Sequence, residues 1–153
     1  MSHSNIDSIR VCSPECSIHK SAGVLQVELI GEVSEFHGLT ELTNLDRNAS
    51  TILSFRDNTL PDAIVVRTGD VGERHEGILV NITGSCTNND LGHGEWEMDD
   101  GSGPTVVDDM LFAPDEAPVT GTVYRVLGVG SFSYGEYKVE AIAINTAALP
   151  SRG

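Results

Sequence analysis

Two sets of residues in this chain have side chains suited to chemistry. The first is acidic: Asp99, Asp100, Asp108 and Asp109 stand on the two arms of one short turn, Trp96-Glu97-Met98-Asp99-Asp100-Gly101-Ser102-Gly103-Pro104-Thr105-Val106-Val107-Asp108-Asp109. Carboxylates that converge from two arms suit a hard cation such as Ca²⁺, which takes about six to eight oxygen ligands. The spacing is not that of an EF-hand loop, and acids that merely alternate on a solvated face give the same pattern. The second set carries rings and a cation. His93, Trp96, Phe132 and Tyr134, with Lys138 nearby, could stack on bases or sugars. The opposing reading puts Trp96 and Tyr137 inside the fold and Phe132 and Tyr134 across its mouth.

Paired carboxylates also serve hydrolysis, one as acid and one as base. No second catalytic constellation accompanies them. The serines lack a Gly-x-Ser-x-Gly context, no His-Glu-x-x-His occurs, and Gly101-Ser102-Gly103 follows a strand without opening a phosphate-binding helix. A non-enzymatic chain is expected. The three cysteines, Cys12, Cys16 and Cys86, are odd in number, so at least one thiol is free or intermolecular. Cys12 and Cys16 could close a short loop disulfide, while a zinc site would need regular ligand spacing that His3 and His19 do not supply. Asn48-Ala49-Ser50 and Asn81-Ile82-Thr83 match the glycosylation triplet, and only Asn48 falls outside an expected strand.

Nine basic residues against 23 acidic ones give a formal net charge of −14. Such a surface repels a phosphate backbone, which disfavours nucleic acid as a tight partner and leaves weak or cation-dependent binding of nucleic acid or glycan. No apolar run approaches a membrane span, and the first residues lack the pattern of a secretion signal, so membrane insertion is not expected and any export signal lies outside these residues.

The elements that would position these residues are short strands. Residues 1–23 are polar and without periodicity, and residues 150–153 form a short tail. Val24 to Ile30 is extended, Gly31 interrupts it, Glu32 to Phe36 continues towards His37-Gly38, and Leu39 to Leu45 returns as the other arm of a hairpin. Ser54 to Pro61 reads as a connection, so residues 24–62 form a hairpin and its linker. Within residues 63–149, Thr68 to Glu76 is the stretch suited to a short helix or helical turn. Five strands follow at Gly77 to Ser85, Glu95 to Asp99, Thr105 to Leu111, Thr122 to Gly130, and Glu136 to Ile144. Their number and turns predict an all-β fold: a five-stranded Greek-key barrel of the oligonucleotide/oligosaccharide-binding (OB) type. In that fold ligands cross strands two and three, with Thr87 to Glu95 and Ser131 to Gly135 as rims.

The first hairpin has an echo in the last. With Gly31 set on Gly128, Ser34 falls on Ser131 and Gly38 on Gly135, so the extra hairpin reads as the end of a preceding OB unit.

The chain also resembles the OB-like accessory modules of secreted bacterial endonuclease/exonuclease/phosphatase-type nucleases and lamin-tail surface proteins. The stretches that carry the resemblance are Glu76-Gly77-Ile78-Leu79-Val80, Leu91-Gly92-His93-Gly94-Glu95-Trp96, Asp99-Asp100-Gly101-Ser102-Gly103-Pro104, Val107-Asp108-Asp109 and Ser133-Tyr134-Gly135-Glu136-Tyr137-Lys138-Val139-Glu140, with Val33 to Leu42 matching a closing hairpin. The resemblance implies an extracellular or cell-surface setting, a nuclease domain that is separate from these residues, and partners that are other domains of a larger secreted protein. Copies of the chain itself, completing one another's sheets by strand pairing, are the alternative partners.

Overall fold

The computed structural model describes residues 26–54 and 61–147. Cys12 and Cys16, the two polar tails and most of the expected connection lie outside them. The chain divides into two compact units, Met1–Asp62 and Ala63–Gly153.

In the first unit, β1 (Gln26–Glu28) and β2 (Glu32–Phe36) form one arm, and β3 (Leu39–Thr43) and β4 (Thr51–Ser54) the other. Phe36 opposes Leu39 across His37-Gly38, and Val27 opposes Ile52 further along. His37 and Gly38 both have positive φ, 51° and 89°, the backbone of a tight two-residue hairpin turn. The arm thus runs on past Leu45, into a strand the polar sequence conceals. Between β3 and β4 the chain bulges out and is pinned: the Asp46 carboxylate accepts from the Asn48 and Ala49 N–H groups, and Ile30 N–H donates to Ser50 Oγ at 3.1 Å.

The second unit opens with β5 (Ile64–Val65) and two 3₁₀ turns, Thr68–Asp70 and Glu73–His75, so the stretch expected as a short helix or helical turn takes the second form. Each turn is only three residues long, and Gly69 and Gly72 within the segment weaken any longer helix. The barrel is built from β6 (Leu79–Gly92), β7 (Glu95–Asp99), β8 (Pro104–Asp108), β9 (Val123–Ser133) and β10 (Glu136–Thr146). Neighbours run β6-β7-β8-β10-β9, and β9 pairs back onto β6, which closes the barrel. The β8–β10 pair is parallel and the rest of the ring antiparallel. This is the five-stranded OB Greek-key topology.

Period-two alternation explains the core. Val80, Ile82 and Cys86 of β6, Trp96 and Met98 of β7, Val107 of β8, Val126 of β9 and Val139 and Ala141 of β10 all point inward and are buried. Trp96 is 2% exposed and meets Tyr124 edge-on, ring centres 5.4 Å apart. Tyr124 in turn accepts the Val119 N–H on its hydroxyl at 2.9 Å, tying the long β8–β9 connection to the barrel wall. Gly130 has no substitute, because a Cβ there would collide with the His75 carbonyl. This close approach lets the second 3₁₀ turn seat against β9.

The hairpin echo is structural as well. The offset of 97 positions that separates Gln26 from Val123 also separates Phe36 from Ser133 and Leu39 from Glu136. β1 and β2 together therefore match β9, and β3 matches the start of β10. Tyr134 and Gly135 repeat the positive φ values of His37 and Gly38.

Candidate functional site

The outer surface of β7 and β8 is where an OB barrel usually meets its ligand. Because Trp96 and Met98 point inward, Glu95, Glu97 and Asp99 point outward on β7, and Asp108 joins them from β8. Lys138 of β10 is brought beside them by the parallel register, in which Lys138 opposes Val106 and Glu140 opposes Asp108. Its ammonium makes an ion pair with Glu95 and a second with Asp108 Oδ2 at 3.5 Å, and its side chain is 3% exposed. Burial alone would lower the Lys138 pKa, but the hydrogen bond and charge of Glu95, aided by Asp108, outweigh it and hold the group above its ordinary value. The cation is thus spent on neighbouring carboxylates. Thr87 Oγ1 donates to Glu97 at 2.6 Å, which fixes a further acid on this face.

At one end of the barrel the β7–β8 turn is locked onto the first 3₁₀ turn. Thr68 Oγ1 donates to Asp100 Oδ1 at 3.0 Å and accepts the Asp100 N–H at 2.9 Å, Ser102 N–H and hydroxyl both donate to Asp100, and Gly69 N–H donates to Ser102 Oγ at 3.0 Å. Desolvation would raise the Asp100 pKa, yet the donors from Ser102 and Thr68 together lower it. Asp99 closes the same turn by accepting from the Gly101 and Gly103 N–H groups at 2.6 and 3.2 Å.

The four aspartates therefore do not converge. Asp99 and Asp100 are engaged within the turn, Asp108 takes Lys138 and the Met110 N–H, and Asp109 lies against Gly94 near the β6–β7 turn. Among the described residues no three His, Cys, Asp or Glu side chains gather as a metal site. The common Ca²⁺ site that these residues could form is corrected by the register, which gives Asp99, Asp100 and Asp108 local donors and sets Asp109 apart against Gly94.

The ring set is also divided. Trp96 lies in the core, as the opposing reading has it, and Lys138 lies in its ion pairs, so neither offers a face to a ligand and the stacking reading is corrected for these two. His93 is exposed at the β6–β7 turn with φ of 57°, and Tyr134 is fully exposed at the β9–β10 turn with φ of 54°. The strand register places these two tips at opposite ends of the sheet, roughly seven residues or about 23 Å apart at the usual rise. Only Phe132 accompanies Tyr134. Phe132 packs against Tyr137 with ring centres 4.7 Å apart, and the Tyr137 hydroxyl donates to Glu73 of the second 3₁₀ turn. That hydrogen bond, helped by burial and by the charges of Glu73 and Glu76, pushes the Tyr137 pKa up to about 12.

Sequence reasoning missed Glu73, Thr68 and His75 as members of this end of the barrel. His75 is buried, and desolvation followed by the charge of Arg74 lowers its pKa below the ordinary 6.5. A hydroxyl or imidazole set in a glycine-punctuated polar stretch carries no periodic signal, so only the docking of the 3₁₀ turns reveals them. Cys86 is a free, buried thiol, its pKa raised chiefly by burial.

Among the described residues no helix is long and apolar enough to cross a membrane. No protein-family profile matches the chain, and no curated protein does. Among solved structures, one of the S. pombe Stn1-Ten1 complex is similar at 15% identity and a TM-score of 0.49, covering 60% of this chain and 82% of that one. The hypothetical protein ygiW from E. coli is similar at 11% identity and a TM-score of 0.43, covering 57% of this chain and 91% of that one.

Proposed function

We propose that this chain is a non-catalytic OB-fold accessory module of a larger secreted or surface protein, and that its β9–β10 tip binds glycan. The observation that carries this reading is Tyr134: a ring fully open to solvent, held at positive φ in a turn position where Gly or Asn would be less strained. Backbone strain that persists under an exposed aromatic points to use of that ring. Phe132 and Tyr137 extend an aromatic surface behind it, and the neighbouring carboxylates, Glu136 beside the turn and Glu73 on Tyr137, are hydrogen-bond acceptors of the kind that take sugar hydroxyls.

The acidic outer surface of β7 and β8 favours a neutral ligand over a polyanion, since the cation nearest to it is already paired. The secreted setting rests on the family resemblance given above.

The test is titration of the protein with soluble oligosaccharides and, separately, with single-stranded DNA, each with and without Ca²⁺. Saturable oligosaccharide binding that Tyr134→Ala weakens at least about 10-fold, with unchanged unfolding, is the expected result. Binding of DNA alone, or binding indifferent to Tyr134, sinks the proposal.

A further inference from the structure

The first hairpin repeats the closing hairpin of the second unit, residue for residue. At the common offset of 97 positions, Val27, Leu29 and Leu42 correspond to Tyr124, Val126 and Val139. In the second unit these three are core residues, covered by β6, β7 and β8. In the first unit the matching face is only partly covered: Val27 is 43% exposed, Leu29 and Leu42 are half-buried, and Val33, which opposes Leu42, is 64% exposed. A hairpin of two strands is marginal alone in water and needs further strands on its apolar face.

Charge narrows what can supply them. Lys138 opposes Ser131 in the second unit, and Glu41 opposes Ser34 at the equivalent station of the first. The Lys138 position reaches Glu95 on strand two and Asp108 on strand three of the OB meander. With Glu41 in that position, a second copy of this chain would bring acid onto acid. The complementary partner has cations there.

We infer that the hairpin Gln26–Ser54 closes a second OB barrel on a three-stranded β-meander that carries Lys or Arg where β7 and β8 carry Glu95 and Asp108, and that this partner is not a copy of this chain. The pairing needs the strand edges and apolar face of β1 to β4 together with the reversed ion pair at Glu41.

A graft tests this on the full chain. A second copy of residues 77–122 is fused ahead of residue 1, in one version unchanged and in another with Glu95→Lys and Asp108→Lys in the grafted copy only. Amide hydrogen exchange is then read across residues 26–54. The lysine graft is expected to slow exchange at Leu29 and Leu42 by about 100-fold over the ungrafted chain, and the unchanged graft to be at least about 10-fold less effective. Glu41→Lys should reverse that order. Equal protection by both grafts, or none by either, overturns the inference. So does an ungrafted monomer in which the hairpin is already as protected as the barrel. Sedimentation of the ungrafted chain as a dimer, with residues 26–54 protected, would instead identify a second copy as the occupant and overturn it equally.

Discussion

Lys138→Ala is the substitution whose cost can be worked out most directly. The side chain is buried, and its ammonium stands between two carboxylates, one of them 11% and the other 23% exposed. Truncation leaves Glu95 and Asp108 without their cation in a poorly hydrated place. Removing one partner of a buried pair costs about 3–5 kcal/mol, and the partial exposure of Glu95 argues for the lower end, about 3 kcal/mol. A domain of this size has roughly 5–15 kcal/mol in total, and each kcal/mol moves Tm by about 4–8 °C, so a drop of about 12–24 °C is expected. Urea unfolding at neutral pH, followed by fluorescence of the single buried Trp96, measures the barrel directly. Replacing all three residues together, as Glu95→Gln, Asp108→Asn and Lys138→Met, should recover most of the loss, because it removes the stranded charges. The pH dependence has a definite sign. The folded pKa of Lys138 lies above its ordinary 10.5, so the pair's contribution is complete below about pH 10.5 and is lost as pH rises through the folded value. A cost below about 1 kcal/mol for Lys138→Ala would mean that the pair behaves as a solvated surface contact, and the reasoning from burial would fall.

Three other outcomes are expected. His75 has a depressed folded pKa, so wild-type stability should decline as pH falls below about 6.5 towards the folded value; a His75→Gln variant, measured by the same unfolding, should show a shallower decline over that window. Gly130→Ala should cost about 3 kcal/mol or more in calorimetry, since the added carbon meets the His75 carbonyl and the backbone on both sides must move. Ultraviolet titration should show a tyrosine step near pH 12 that Tyr137→Phe removes and Glu73→Gln moves to lower pH; a step that persists in Tyr137→Phe would show that Tyr137 is not its source, and one that Glu73→Gln leaves in place would show that Glu73 is not its cause.

The barrel itself was legible in the sequence because its core strands alternate. Val80 and Ile82 alternate with Asn81 and Thr83, which turns one face of β6 inward, and Asp100-Gly101 suits the tight β7–β8 turn because Gly101 takes positive φ. The C-terminal half of β6 was not legible. Thr87 to Leu91 is exposed and reads as loop, but it pairs with β7 through two irregularities, at Cys86/Asn88 and Asn88/Gly92, which break the period that pattern reading depends on. The expected third strand ran too far, since Asp109 to Leu111 leave the sheet after Asp108. For the site, residue type was a poor guide to accessibility. Lys138 looked like a free cation because its partner Glu95 is 43 positions away, and only the strand register brings them together. The inward turn of Trp96 follows from its parity with Met98, a signal present in the sequence but equally compatible with an exposed ring until the sheet closes.

The carboxylate cage around Lys138 also bears on how a chain with two look-alike hairpins reaches one fold. During folding, β6 to β8 present an edge that either hairpin could in principle close, and such cross-pairing is the usual misfolding route of tandem repeats. The hairpin that carries Lys138 neutralises Glu95 and Asp108 on arrival, whereas the one that carries Glu41 would crowd a third negative charge against them. One side chain at one station thus marks which hairpin suits that edge, since closure by the other sets acid against acid.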